Sequence, residues 1–210
     1  MKNMKYILLL FAAIFQLPLF AQEADPDAVL DKVVSAIKAG SPVCMDYSYK
    51  VYDDERELLQ SDKGVIYIDN SRYALLMQDM KVWCDGATQW SYMREVDEIY
   101  VTDASSDEAQ NLSPLYVMEC YREGYDASLD DKGDEWLVKL QAEDDEADVE
   151  SVELLISKDA NRLVAMLIHL SGQGYLEVVL DGYTSRCGID KDVFECPLND
   201  FPGIEVIDMR

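Results

Sequence analysis

Residues 64–103 read GVIYIDNSRYALLMQDMKVWCDGATQWSYMREVDEIYVTD. Short apolar or alternating runs are separated by turn residues: Asp69-Asn70-Ser71, Gln78-Asp79, Asp85-Gly86 and Glu95-Val96-Asp97. Asp-Gly between two such runs marks a hairpin, because its turn requires positive φ and glycine adopts positive φ without a steric penalty. The stretch is therefore a meander of antiparallel strands. Its strands carry aromatics or methionine: Tyr67, Tyr73, Met77, Trp83, Trp90, Tyr92 and Tyr100. A sheet furnished this way has a large apolar face, which must be covered by a packed core or by an apolar ligand.

Upstream, Asp25-Pro26 supplies a cap and a proline at a first helical position. Leu30, Val33, Val34 and Ile37 then form one helical stripe, ended by Gly40 and Ser41-Pro42. Val43–Tyr52 alternates, with Met45, Tyr47, Tyr49 and Val51 on one face, and the acidic run 53–57 reads as a solvated turn. Downstream, Ser113-Pro114 predicts a second helix over 115–123, with Leu115, Met118 and Tyr121 apolar and Gly124 closing it. Further strands are predicted over 125–129, 135–141, 152–157, 162–170 and 175–181, then a helical turn over 191–194 and a short apolar run at 204–207. The result is a mainly β, α+β chain with two or three short helices and about ten or eleven strands. Twist accumulates across so long an antiparallel sheet, so a closed barrel, an incomplete barrel and a sandwich are all compatible with it.

The first residues predict the compartment. Lys2 and Lys5 precede an apolar run over 6–15, and Leu19-Phe20-Ala21 closes the segment. This reads as a secretory signal peptide cleaved after Ala21, leaving residues 22–210 as one exported domain. No later segment is apolar enough to span a bilayer, so no stable membrane insertion is expected. The formal charge is −24, and loss of the two leader lysines makes it more negative still. That balance excludes nucleic-acid binding, which needs phosphates neutralised by Lys and Arg. Five cysteines (Cys44, Cys84, Cys120, Cys187 and Cys196) give an odd count, so a monomer keeps at least one thiol unpaired. Cys187 and Cys196 are close in sequence and are the expected pair.

No catalytic constellation stands out. The one histidine, His169, lies inside an apolar strand and reads as structural. Gly-x-Ser-x-Gly and a glycine-rich phosphate cradle are both absent. The acidic run 143–150 lacks the glycine spacing of a calcium loop and reads as a solvated hairpin tip. No metal, cofactor or enzymatic activity is expected. The aromatic and methionine positions remain, and a sheet closed over by two apolar helices can enclose a cavity for apolar cargo. The residues expected to form its wall are Tyr47, Tyr49, Tyr67, Tyr73, Leu75, Met77, Trp90, Tyr92, Leu115 and Met118, with the face of each strand inferred from alternation.

Gly64-Val-Ile-Tyr67, Arg72-Tyr73, Cys84-Asp85-Gly86-Ala-Thr-Gln-Trp90-Ser-Tyr92 and the run from Glu95-Val96 to Val101 resemble the LolA family of periplasmic outer-membrane lipoprotein carriers. The layout also resembles that family: leader, amphipathic helix, long meander, mid-chain helix after Asn111-Leu112-Ser113-Pro114, then more strands. The ending from Phe201 to Arg210 looks like LolA-like proteins of Bacteroidetes-type bacteria. The resemblance implies an incomplete antiparallel β-barrel lidded by helices around an apolar cavity for acyl chains. It also implies lipoprotein cargo received from an inner-membrane transporter and passed to an outer-membrane acceptor, by a protein expected to be a periplasmic monomer. Proteobacterial-type members carry an Arg just after the first-motif strand. Here Asp69-Asn70-Ser71 stands there, followed by Arg72. A lipid-binding sensor or regulator of the same fold is the alternative reading.

Overall fold

The computed structural model describes residues 25–106, 109 and 124–210. The leader and the helix expected over 115–123 lie outside the described residues. Helix α1 is Pro26–Gly40, and the side chain of its cap, Asp25, accepts a hydrogen bond from the Asp27 amide. Twelve strands follow among the described residues: β1 Val43–Tyr52, β2 Leu58–Asp69, β3 Arg72–Met77, β4 Met80–Cys84, β5 Thr88–Met93, β6 Glu98–Asp103, β7 Tyr125–Asp131, β8 Glu135–Ala142, β9 Val149–Ser157, β10 Arg162–Leu170, β11 Gly174–Ser185 and β12 Glu205–Asp208. Two 3-10 turns, Lys191–Phe194 and Leu198–Asp200, lie between β11 and β12.

All twelve strands form one sheet, ordered β12-β6-β5-β4-β3-β2-β1-β11-β10-β9-β8-β7. Every neighbouring pair is antiparallel except β12, which runs parallel to β6. The mainly β architecture expected from the sequence is present. The edges β7 and β12 do not pair with one another, so a closed barrel is corrected to an open sheet, as the incomplete form expects, and the single continuous sheet excludes the sandwich.

Paired residues in a sheet share a face, so the register sorts every side chain. On the inner face, Val43 lies opposite Ile68, Met45 opposite Ile66, Leu75 opposite Val82 and Val138 opposite Leu154. Helix α1 lays its stripe on this face. Leu30 and Val33 are fully buried, with Val29 and Ile37 beside them, in one cluster with Val43, Ile66, Tyr73, Leu140 and Ile156. Each such side chain contributes about 1.5–3 kcal/mol by leaving water.

The outer face of β3–β5 is also covered. Ala74, Trp83 and Phe194 form a second cluster, packed by Tyr67, Leu76, Trp90, Tyr92, Ile189, Val193, Cys196 and Phe201. The Phe201 ring meets Tyr92 at 4.9 Å and Trp83 edge-on at 6.0 Å. The segment after β11 is therefore a strap across the back of the meander. Arg72 belongs to this side: it pairs with Asp69, and its guanidinium lies 4.6 Å from the Phe194 ring centroid.

The α1–β1 junction is held from both flanks. Ser41 Oγ donates to Asp69 Oδ1 (2.7 Å) and accepts from the Asn70 amide (3.2 Å). On the other side, the Arg186 amide donates to the Gly40 carbonyl (2.8 Å) and the Cys187 amide to the Pro42 carbonyl (3.0 Å).

Candidate functional site

At the opposite end of the inner face the described residues leave a groove. The turns at 53–57, 78–79 and 94–97 share one rim, because β1, β3 and β5 all run towards it and β2, β4 and β6 start from it. Just inside the rim lies a groove of about 660 Å³ lined by Tyr49, Gln60, Asp79, Met80, Met93, Arg94, Glu95 and Val96. Its volume falls in the usual range for small-molecule sites. Tyr49, Gln60, Met80 and Met93 all belong to the inner face: Tyr49 lies opposite Asp62, Gln60 opposite Val51, and Met80 opposite Met93.

Short polar ties fix the groove walls. Asp62 Oδ2 accepts from the Asp79 amide (3.0 Å), anchoring the β3–β4 turn to β2. The Arg94 amide donates to the Asp79 carbonyl (2.9 Å), and the Asp97 amide to the Met93 carbonyl (2.9 Å). Gln60 Nε2 donates to the Tyr49 hydroxyl (2.8 Å). Apolar side chains stand exposed at and beside the groove: Val96 and Met93 of its lining are 52% and 40% exposed, and Leu58 and Leu59 nearby on β2 are 53% and 63% exposed. The groove is thus an open trough of mixed lining, with Tyr49, Met80, Met93 and Val96 beside Gln60, Asp79, Arg94 and Glu95.

Deeper along the same face the Tyr47 and Tyr49 rings lie 6.1 Å apart. Burial, with smaller contributions from Tyr49 and Asp62, pushes the Tyr47 hydroxyl up to about 12. Burial raises the Tyr73 hydroxyl as well; it donates to Gln89 Oε1 and lies 3.2 Å from the Ala109 carbonyl. A tyrosine whose folded pKa lies above its unfolded value of 10.0 stabilises the fold fully below pH 10, and that contribution is lost as pH rises through about 12. Two pH units correspond to about 3 kcal/mol. Stability to urea is expected to fall steeply above pH 10, and Tyr47→Phe to flatten part of that fall. An unchanged slope in Tyr47→Phe would count against a buried neutral hydroxyl.

The register divides the expected wall residues. Tyr47, Tyr49, Tyr73, Leu75 and Met77 share the inner face, with the last three buried. Tyr67, Trp90 and Tyr92 point the other way: Tyr67 lies opposite Ala74, Trp90 opposite Trp83, and Tyr92 opposite Lys81, all under the strap. One wall made from all eight is therefore not what the register builds, because aromatic side chains serve both faces of this sheet. Leu115 and Met118 lie outside the described residues. Sequence reading missed Gln60, Met80, Met93 and Val96. Met77 and Met80 flank the two-residue turn at 78–79, and that symmetry was the available signal for Met80.

His169 lies on the outer face, opposite Tyr175 and Ser151, and helps line a separate polar pocket of about 240 Å³ with Asp54, Arg56 and Glu150. Among the described residues no group of three or more His, Cys, Asp or Glu is placed to hold a metal. No described helix is long and apolar enough to cross a membrane.

A family model described as outer membrane lipoprotein carrier protein LolA matches residues 17–169. The chain belongs to this family. No curated protein matches it. Among solved structures, an uncharacterized conserved protein from Thermus thermophilus is similar at 9% identity and a TM-score of 0.54, covering 86% of this chain and 97% of that one. MucB in the Pseudomonas aeruginosa MucA/MucB complex is similar at 14% identity and a TM-score of 0.50, covering 83% of this chain and 62% of that one. At these identities the likeness is one of fold.

Proposed function

We propose that this protein is a periplasmic carrier that shields lipoprotein acyl chains against the inner face of its sheet. The observation that carries the reading is the open groove of a LolA-family chain, floored by Tyr49, Met80 and Met93 and continuous in register with Tyr47, Leu75 and Met77. Burying acyl carbon contributes roughly 0.8 kcal/mol per CH₂, so a lipoprotein leaves a bilayer for water too slowly to cross an aqueous space unaided. A carrier must supply apolar wall and still let go. An open trough with flexible methionines meets both demands, because it covers the chain on one side only and adapts to its shape. Cargo would arrive from an inner-membrane transporter and leave to an outer-membrane acceptor, with the chain a monomer exported by its first 21 residues.

A second reading is favoured by the fold shared with MucB, which forms a complex with MucA. The same groove would then report a lipid to a partner protein. Titration with an environment-sensitive fatty-acyl probe tests both readings. Saturable uptake, reversed by a triacylated lipoprotein and not by its deacylated form, is expected. Hand-off of the bound lipoprotein to outer-membrane vesicles marks a carrier, and retention of it marks a sensor. Absence of saturable uptake would remove both.

A further inference from the structure

The α1–β1 junction brings two cysteines together from opposite ends of the chain. Cys44 lies near the start of β1, opposite Thr184 of β11, and Cys187 follows the end of β11. The Cys187 amide donates to the Pro42 carbonyl at 3.0 Å, and its thiol lies 3.6 Å from that same oxygen. Pro42 precedes Cys44 by two residues, and the Cys44 side chain neighbours the Cys187 thiol. Cys196, the partner expected from sequence, instead packs into the outer-face cluster as part of the strap, and Cys84 is buried on β4.

We propose that Cys44 and Cys187 are a disulfide site, closed when the exported chain meets a protein disulfide oxidant. This rests on the export reading for its oxidant and on the junction geometry for its pairing. One thiolate of the pair attacks the oxidant's disulfide, giving a mixed disulfide and one free oxidant thiol. The second thiolate then attacks the mixed disulfide, forming the Cys44–Cys187 bond and releasing the other oxidant thiol. Two protein thiols are oxidised, one oxidant disulfide is reduced to a dithiol, and the two protons end on that dithiol. Burial and the neighbouring Cys44 push the Cys187 thiol up to about 11, so little of it is thiolate at neutral pH.

The bond would join β1 to the exit of β11 at the foot of α1, where backbone hydrogen bonds already tie Arg186 to Gly40 and Cys187 to Pro42. It would close a loop spanning most of the chain, the kind of cross-link that most restricts an unfolded ensemble. The test uses the mature chain, reduced and then exposed to glutathione disulfide with a catalytic disulfide oxidoreductase. Denatured protein is alkylated with N-ethylmaleimide and mapped by mass. Three of the five cysteines should take label, and one cross-linked peptide should join Cys44 to Cys187. The oxidised form should melt several degrees higher, a gain lost in Cys44→Ser and kept in Cys196→Ser. The wild-type map needs no variant, so a misfolded Cys44→Ser leaves the result readable. Labelling of all five cysteines, or a bridge between any other pair, would overturn the proposal. Failure of the export reading is separately visible: the chain would stay with the cytosolic fraction while the purified protein still closed the bond.

Discussion

Met80→Asp is expected to abolish acyl-probe binding while the sheet stays folded. Met80 lies opposite Met93 on the inner face and lines the groove, half-buried. The substitution acts twice. It removes apolar surface that an acyl chain would cover, worth about 1.5–3 kcal/mol for a methionine fully buried. It also sets a carboxylate where the chain must lie, beside Asp79 and Glu95 of the same groove. A bound chain would have to strip water from that charge at a cost of several kcal/mol. The combined loss is on the order of 100-fold or more in affinity. Tyr92→Ala, on the outer face under Phe201, should leave affinity within about twofold, because it lies across the sheet from the groove. Far-ultraviolet circular dichroism checks that each variant is folded. Wild-type affinity in folded Met80→Asp would place the cargo elsewhere.

Gly64→Ala is expected to be the most damaging single-methyl change in the meander. Gly64 lies within β2, opposite Tyr47 on one side and Met77 on the other. A Cβ there would sit 2.0 Å from the Leu76 carbonyl oxygen and 2.7 Å from its carbon. Both are backbone atoms of β3, so relief requires the β2–β3 pairing itself to move, and with it Leu75 and Met77. A loss of about 3 kcal/mol or more is expected in urea unfolding, which for a domain of ordinary stability is a large fraction of the total. Gly188→Ala is the control, since nothing lies within 4 Å of its Cβ position. Equal midpoints for the two variants would show that the β2–β3 contact is looser than this spacing.

Much of the frame was legible because its signals are local. Asp25-Pro26 and Gly40 set α1, and strands β1 and β10 run over the residues expected of them. Asp85-Gly86 turns as read, with Gly86 at positive φ. Which face each strand presents was not legible, because alternation fixes two faces without saying which one meets the groove. Trp90 and Tyr92 alternate as cleanly as Tyr47 and Tyr49, yet they pack under Phe201, a residue more than a hundred positions later. One signal did point to cover on both sides: the run Tyr73-Ala74-Leu75-Leu76-Met77 is apolar without interruption. The Cys44–Cys187 proximity was hidden for a related reason. It follows from β1 pairing with β11, a contact that no local pattern announces.

That central pairing has a kinetic meaning. Strand β1 emerges early in synthesis and finds β2 at once, but its other edge waits for residues 174–185. Until then a long strand with alternating apolar side chains stands open, the sort of surface on which nascent chains stick to one another. Contacts this far apart in sequence also slow the search for the native state. Spontaneous refolding should be sluggish, with yield falling as concentration rises, and a holding chaperone should help most before β11 has left its template.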